Sequence, residues 1–241
     1  MTDLHITSAG EYPHGYDSRQ TFVTTLDLIE RVQPIDMIVI TGDIAHYTLD
    51  GSICSWVSLH LSSYRVPVYY TPGNHDLPDL LADTGSYNEG LKGGELFYSL
   101  QLDDRRYIFL DTSGHSVSDK QLSWLASVLA DCSHTHKHPV IFMHHPPCPA
   151  GSLFMDRKYP FRGSEAFGEV LQIYNDVIPV FCGHYHIAKT IIWKNAVIHI
   201  TPSTCFEVDP FSETFSLEFA PSGLRVIDIT NDHIQSSVLR V

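Results

Sequence analysis

Five short blocks of ligand-type residues lie along this chain: Asp3-Leu4-His5, Gly42-Asp43, Gly73-Asn74-His75-Asp76, His144-His145-Pro146 and Gly183-His184-Tyr185-His186. Carboxylate, imidazole and amide groups of this kind hold iron, manganese or zinc. Together they approach a full donor set for two adjacent cations, a pairing suited to hydrolysing a phosphate ester. Asp3 and His5, two residues apart, could both reach one ion from an extended segment. Asp43 has two oxygens with which to bridge a pair of ions, and Gly42 lets the backbone pass close by. Asn74 offers a neutral amide oxygen, while His75 can bind a phosphate or protonate a leaving oxygen. One of His144 and His145 is enough for a ligand. His184 and His186 alternate across one residue, so an extended backbone points both to one side.

The elements that would position these blocks follow from hydrophobic patterning. Residues 36–41, 66–71, 107–110, 139–143 and 177–182 are short β-branched or aromatic runs ended by polar, Gly or Pro breaks, and read as buried strands. Residues 19–32, 51–64, 118–129 and 164–175 carry apolar residues at helical spacing. Strand and helix alternate, which predicts an α/β layered architecture with a largely parallel sheet. After Cys182 the pattern becomes strand-like, in 190–193, 196–201, 224–229 and 234–241, and predicts an antiparallel second sheet packed on the first. Four of the ligand blocks follow directly on strands, where open α/β sheets bind ligands. His134, His136 and His138 read as a solvated loop. His14, His46, His60, His115, His199 and His233 take the same reading, with His46 and His115 the two that sit just after strand ends.

Composition narrows the function. At 241 residues and 43% hydrophobic content the chain can bury one substantial core, and a single domain over 1–241 is expected. A formal charge of -13 and the lack of a basic stripe argue against a nucleic-acid substrate. Five cysteines without paired spacing fit reduced thiols and a cytoplasmic location. No apolar run reaches the roughly 20 residues of a membrane span. A monomer and a homodimer are both compatible with the sequence.

The ordered series Asp-x-His, Gly-Asp, Gly-Asn-His-Asp, His-x-Pro and Gly-His-x-His resembles the metallophosphoesterase, or calcineurin-like phosphoesterase, family. Residues 141–147 and 181–184, the Thr201-Pro202-Ser203-Thr204-Cys205-Phe206 block and residues 220–225 are most similar to its class III cyclic nucleotide phosphodiesterases, those acting on 3',5'-cyclic AMP in particular. The resemblance implies a four-layer α/β/β/α sandwich. It implies one ion held by Asp3, His5, Asp43 and His186, and a second by Asp43, Asn74, His144 and His184, with Fe or Mn favoured and Zn possible. Asn74 and His75 would meet the substrate phosphate and His75 would act as general acid, with Asp76 and His145 supporting from behind. A hydroxide shared by two ions roughly 3.5–4 Å apart would open the cyclic nucleotide to its 5'-monophosphate. The purine would lie against residues 146–163 and Phe206. Alternatives are a broader phosphodiesterase taking 2',3'-cyclic nucleotides or glycerophosphodiesters, and a metal-binding scaffold with little turnover.

One departure stands out. The family places a strand ahead of Asp-x-His, whereas only Met1 and Thr2 precede Asp3 here. A truncated first strand predicts a hydrogen-bonding gap in the sheet and a poorly held first ion site. A start codon placed too far downstream is favoured over a chain that lacks its beginning and over a natural short form.

Overall fold

A computed structural model describes residues 1–84, 88–230 and 232–241. Helix α1 (Ser18–Glu30) leads to β1 (Ile38–Ile40), and α2 (Gly51–Leu61) crosses from there to β2 (Val68–Tyr70), which pairs parallel with β1. A short α3 (Pro78–Thr84) precedes a hairpin of β3 (Tyr98–Leu102) and β4 (Arg105–Phe109). Then come α4 (Asp119–Thr135), β5 (His138–Phe142), α5 (Leu153–Lys158), α6 (Ser164–Leu171) and β6 (Ile178–Cys182). A second hairpin, β7 (Lys189–Trp193) with β8 (Ala196–Ile200), completes a six-stranded sheet of order β3-β4-β5-β6-β8-β7. Two antiparallel pairs close the chain, β9 (Glu207–Val208) with β10 (Leu217–Glu218), and β11 (Gly223–Ile229) with β12 (Ile234–Arg240).

The period of two along the central strands decides the layering. Tyr107, Phe109, Val140, Phe142 and Phe181 join one core with β1, β2, α1 and α2, whereas Ile108, Ile141, Val180 and Cys182 join another with α4 and α6. A strand presents alternate residues to opposite faces, so each is apolar on both. Tyr98, Phe109, Phe142 and Phe181 stack in sequence across the strands, with ring centroids 4.6, 5.2 and 5.5 Å apart. This aromatic ladder fills the space between the layers. Side-chain caps start the helices: Asp17 accepts the Gln20 N–H at 3.0 Å, Asp50 those of Ser52 and Ile53 at 2.8 and 3.0 Å, and Ser118 that of Gln121 at 3.2 Å.

Several expectations change. The four C-terminal strands do not form one second sheet: β8 pairs parallel with β6 and brings β7 with it, and only β11 and β12 stand apart. Pairing with β8 covers an edge of β6 that would otherwise leave backbone groups unpaired. The sequence reading missed β3, α3 and α5. His134 belongs to α4, His136 is its left-handed C-cap, and His138 opens β5 with Nδ1 at 3.1 Å from the Tyr174 hydroxyl, so this run is not a loop.

The N-terminal segment also departs from expectation. Among the described residues no strand precedes β1, yet residues 1–6 are firmly seated. Thr41 N–H donates to the Met1 carbonyl (3.0 Å), Asp3 N–H to Gly42 (3.0 Å), His5 N–H to Asp43 (3.0 Å) and Ile6 N–H to Ile44 (2.8 Å). Leu4 and Ile6 are fully buried. The poorly held first site expected from the sequence is thus corrected: the strand-end loops hold Asp3 and His5 from Asp3 onward.

His199 on β8 stacks on Phe181 at 5.0 Å and lies near Arg225, and burial together with that guanidinium lowers its pKa to about 4. The folded protein thus resists protonating His199, whereas the unfolded chain takes a proton near pH 6.5. This contribution to stability is complete above about pH 6.5 and declines as pH falls towards 4. His199→Gln should make the loss of stability over that window shallower in urea titrations at successive pH values.

Candidate metal centre

The loops after five strand ends meet at one edge of the layered core. Gly42-Asp43 follows β1, Asn74-His75 follows β2, Thr112-His115 follows β4, His144-His145 follows β5, and His184-Tyr185-His186 follows β6. Asp3 and His5 reach the same edge through their backbone bonds to Gly42 and Asp43. Six of the non-glycine residues here hold left-handed backbone, with φ of 51° at Asp3, 47° at His5, 53° at Asp43, 59° at His115, 67° at His184 and 52° at His186. That conformation costs a non-glycine residue about 1–2 kcal/mol, and its concentration here marks a site held by its surroundings.

Most of the imidazoles are oriented in one way. His144 Nδ1–H donates to the Thr41 carbonyl (2.7 Å), His186 Nδ1–H to Phe206 (2.8 Å), His75 Nδ1–H to Tyr47 (3.0 Å) and His184 Nε2–H to Tyr159 (3.1 Å). Each bond fixes a tautomer and leaves the other ring nitrogen with a lone pair, the arrangement that metal-binding histidines adopt. Around those lone pairs sit two carboxylates. Asp43 Oδ2 is 3.3 Å from His144 Nε2 and 3.9 Å from Nε2 of both His5 and His75. Asp3 Oδ1 is 3.3 Å from His186 Nε2 and 3.9 Å from His144 Nε2. Nε2 of His5 and Nε2 of His186 face each other at 3.0 Å. Among the described residues four groups could hold a cation: Asp3, His5 and His186; His5, Asp43 and His75; Asp43, His144 and His184; and His115, His145 and His184. His144 Nε2 and Asn74 Oδ1 are buried without a hydrogen-bond partner, as oxygen and nitrogen ligands would be. The donor set therefore fits two cations sharing Asp43.

Electrostatics agree with the geometry. Burial disfavours a charge on His144, yet the Asp43 and Asp3 carboxylates overcome it and lift the imidazole to about 9. Burial works against ionisation of Asp43 and Asp3 too, but the surrounding imidazoles hold both below the ordinary carboxylate range. Burial drives His184 down to about 3, and puts His5 and His145 well below the usual histidine value. The same field that keeps a proton on His144 favours a cation in its place. Asp76 accepts N–H groups from Asp43 (2.7 Å), Gly73 (2.9 Å) and Ile44 (3.0 Å), locking two of the loops together. Burial and the Asp43 charge raise its pKa to about 6.

Close backbone approach accounts for two glycines. A Cβ on Gly73 would strike the Asp43 carboxylate, and one on Gly183 would strike the Thr2 hydroxyl and the Asp3 carboxylate. Without that Cβ, the His184 N–H reaches both Asp3 oxygens at 3.2 and 3.0 Å.

The Thr201–Phe206 block buttresses the N-terminal segment. Ser203 Oγ donates to the Asp3 carbonyl (3.0 Å) while accepting from Cys205 N–H (2.9 Å), and Thr204 N–H donates to Thr2 (3.0 Å). Phe206 is 4% exposed and stacks behind His5 at 5.3 Å. This corrects the expectation that it would meet a purine, because its faces are already taken. Exposed aromatics near the mouth include Tyr47, Tyr159 and Phe215. Of the expected 146–163 loop, Tyr159 does reach the site through its carbonyl.

His14, read from sequence as unremarkable, packs 5.6 Å from His46 and 4.8 Å from Phe215 at the rim. His145 has Nδ1 at 3.0 Å from the Thr112 hydroxyl, no partner on Nε2, and His184 and His115 at 4.0 and 4.5 Å, those two rings being 5.7 Å apart. Their strand-end position was the only sequence signal for His115 and His46, and none marked His14.

Residues 1–188 match the model of the calcineurin-like phosphoesterase family, and the chain belongs to that family. Its members are metal-dependent hydrolases, and this chain is one. It is 29% identical over 238 residues to a "Probable cyclic nucleotide phosphodiesterase" of Fibrobacter succinogenes, covering 99% of this chain and 91% of that protein. It is 30% identical over 241 residues to "3',5'-cyclic adenosine monophosphate phosphodiesterase CpdA" of Escherichia coli K12, covering 96% and 84%. Among solved structures, a dimetal phosphatase from Danio rerio superposes with a TM-score of 0.69 at 18% identity, covering 100% of this chain and 95% of that one, which shows a shared fold.

Three substitutions separate the halves of the centre. Asp43→Asn should lower the metal content of reconstituted protein, read by elemental analysis, by more than Asp3→Asn, since Asp43 lies between both donor groups. Gly183→Ala should reduce it to about the level of Asp3→Asn by displacing that carboxylate.

Proposed function

We propose that residues 1–241 act as one phosphodiesterase domain that hydrolyses 3',5'-cyclic AMP to 5'-AMP with two metal ions. The observation that carries this reading is the ring of inward-facing imidazole nitrogens around Asp43 Oδ2, with the half-exposed His75 on the open side. Asp3, His5, Asp43 and His186 would hold one ion, and Asp43, Asn74, His144 and His184 the other, with iron or manganese suited to these mixed nitrogen and oxygen donors and zinc also compatible. Bound there, two such ions supply an acidified water and neutralise charge on the phosphate.

The chain's own residues do the rest. Asn74 and His75 orient the phosphate. Water oxygen bonds to phosphorus as the bond to the 3'-oxygen breaks; His75, acting with a proton on both ring nitrogens, gives the one on Nε2 to the 3'-oxygen, and the proton lost by the water restores it. The Nδ1–H bond to Tyr47 keeps that nitrogen directed at the site. Asp76 and His145 stand behind the ligands and hold them in place. The names of the Fibrobacter and Escherichia relatives support a cyclic nucleotide as the substrate. The net charge of -13 supports a small molecule over a nucleic acid. All five cysteines are free and buried, which fits a reducing compartment, and we place the enzyme in the cytoplasm as a monomer or homodimer.

A second reading is a broader phosphodiesterase, favoured by 27% identity over 219 residues to a protein of Arcobacter nitrofigilis named "Probable glycerophosphodiester phosphodiesterase GpdQ". A panel of 3',5'-cyclic AMP, 3',5'-cyclic GMP, 2',3'-cyclic AMP, glycerophosphocholine and bis(p-nitrophenyl) phosphate on manganese-reconstituted protein should give the highest kcat/KM with 3',5'-cyclic AMP. A higher value with glycerophosphocholine would select the second reading, and no turnover at full metal loading would leave a metal-binding scaffold. His75→Ala should lower kcat about 100-fold or more with metal content unchanged.

A further inference from the structure

An arc of side-chain rings links the two halves of the candidate metal centre along its rim. It starts at His46, 5.3 Å from the His5 ring, and passes to His14 at 5.6 Å, Phe215 at 4.8 Å, Phe154 at 5.9 Å, Tyr159 at 5.8 Å and finally His184 at 6.4 Å. Its first ring thus stands beside one candidate ion site, and its last belongs to the other. Three members, His14, Tyr159 and Phe215, are exposed to solvent.

Phe215 lies in the connection between β9 and β10, and that connection is tied down at several points. Asp209 N–H donates to the Ser216 carbonyl and Leu153 N–H, at the head of α5, to the Pro210 carbonyl, both at 2.9 Å, while the Arg157 guanidinium donates to the Glu213 carbonyl. The strand that opens the connection also holds a candidate ligand, since Val208 N–H donates to the His186 carbonyl at 3.2 Å. The place of the Phe215 ring is therefore set relative to the metal centre. Exposure alone does not single it out, because Phe211 and Phe219 are 82% and 99% exposed. Among the described residues, however, neither of those packs on another ring, whereas Phe215 is 43% exposed and propped from behind. His14 leans on it at 43°, and the half-buried Phe154 meets it at 63° and Tyr159 at 74°, so one anchored ring steadies two exposed ones. A braced ring with an open face is a surface on which a second planar group can stack.

We propose that Phe215, steadied by His14 and Phe154, is the stacking platform for the purine base of the nucleotide, an inference that rests on the reading above that a cyclic nucleotide occupies the site. In such a nucleotide a single furanose separates the phosphate from the base. A base whose phosphate lies beside Asp43 and His75 must therefore come to rest on the rim, and this arc is the part of the rim built of braced rings. Phe206 cannot take the role, because its ring is packed behind His5. Stacking on an aromatic side chain uses the flat face that every base presents. It accordingly separates nucleotides from glycerophosphocholine, which has no ring, more sharply than it separates one base from another.

Calorimetry on manganese-loaded protein with 5'-AMP and with ribose 5-phosphate tests this, because the two share phosphate and sugar and differ only in the base. The wild-type protein should bind 5'-AMP about tenfold more tightly than ribose 5-phosphate. Phe215→Ala should bring that ratio close to one, and Phe215→Leu, which fills the same space without a π face, should do the same. Phe215→Tyr should keep the ratio, and so should Phe219→Ala, which removes an exposed ring outside the arc. A wild-type ratio of one would overturn the platform. So would a ratio that survives both Phe215→Ala and Phe215→Leu, or one that Tyr47→Ala abolishes in their place. The substrate reading fails by a different result: wild-type protein that hydrolyses bis(p-nitrophenyl) phosphate but not 3',5'-cyclic AMP would overturn that reading, while the binding ratios still decide the platform.

Discussion

Burying two carboxylates side by side is unfavourable unless positive charge comes with them, and the candidate metal centre is organised around that constraint. Asp3 and Asp43 lie out of water at the same edge of the core, surrounded by imidazoles. Four of those rings give one N–H to a backbone carbonyl and keep the opposite lone pair for the interior. Neither the acids nor the lone pairs can relax by turning to solvent. What remains is a pair of buried carboxylates whose charge a proton on His144 or a bound cation can balance.

The fold keeps such a site rigid. Loops after five strand ends converge because the strands are parallel and open at the same edge, and the aromatic ladder from Tyr98 to Phe181 fixes the spacing of the layer beneath. Left-handed backbone at five of the candidate ligands would be unstable in a free loop. Here it is tied down by Asp76 from one side and by the Ser203 turn from the other. The Thr201–Phe206 block, conspicuous in the sequence as a substrate signature, turns out to be a brace for the segment that carries Asp3 and His5.

Legibility in the sequence was uneven, for physical reasons. Strong apolar runs such as Val140–Met143 announce themselves because both faces are buried. Tyr98–Leu102 carries Ser99 and Gln101 between its apolar residues at the edge of the sheet, and its strand character depends on pairing with β4. The partners of β8 were unreadable for a related reason: residues 196–200 say that a strand exists, but which edge it covers depends on the chain around it. His14, Tyr159 and Phe206 show the same division at the site. A histidine with no motif around it and a carbonyl that every residue possesses leave no local trace, and an aromatic ring near the ligands reads equally well as a substrate platform or as packing.

The sequence by itself determined the chemistry available: which blocks carry nitrogen and oxygen ligands, that they follow strands, and that Asp43 and His75 stand among them. Ligand type is a property of the side chain, and strand-end position is written in apolar runs a few residues long. Only the tertiary structure decided which nitrogen of each histidine faces inward, that Asp3 and His5 are firmly seated, and that Phe206 is packing. Those outcomes rest on hydrogen bonds between residues 20 to 200 positions apart, such as His186 with Phe206, Asp3 with Gly42 and Ser203 with Asp3. No local pattern encodes such pairings, because they exist only once the chain has closed around them.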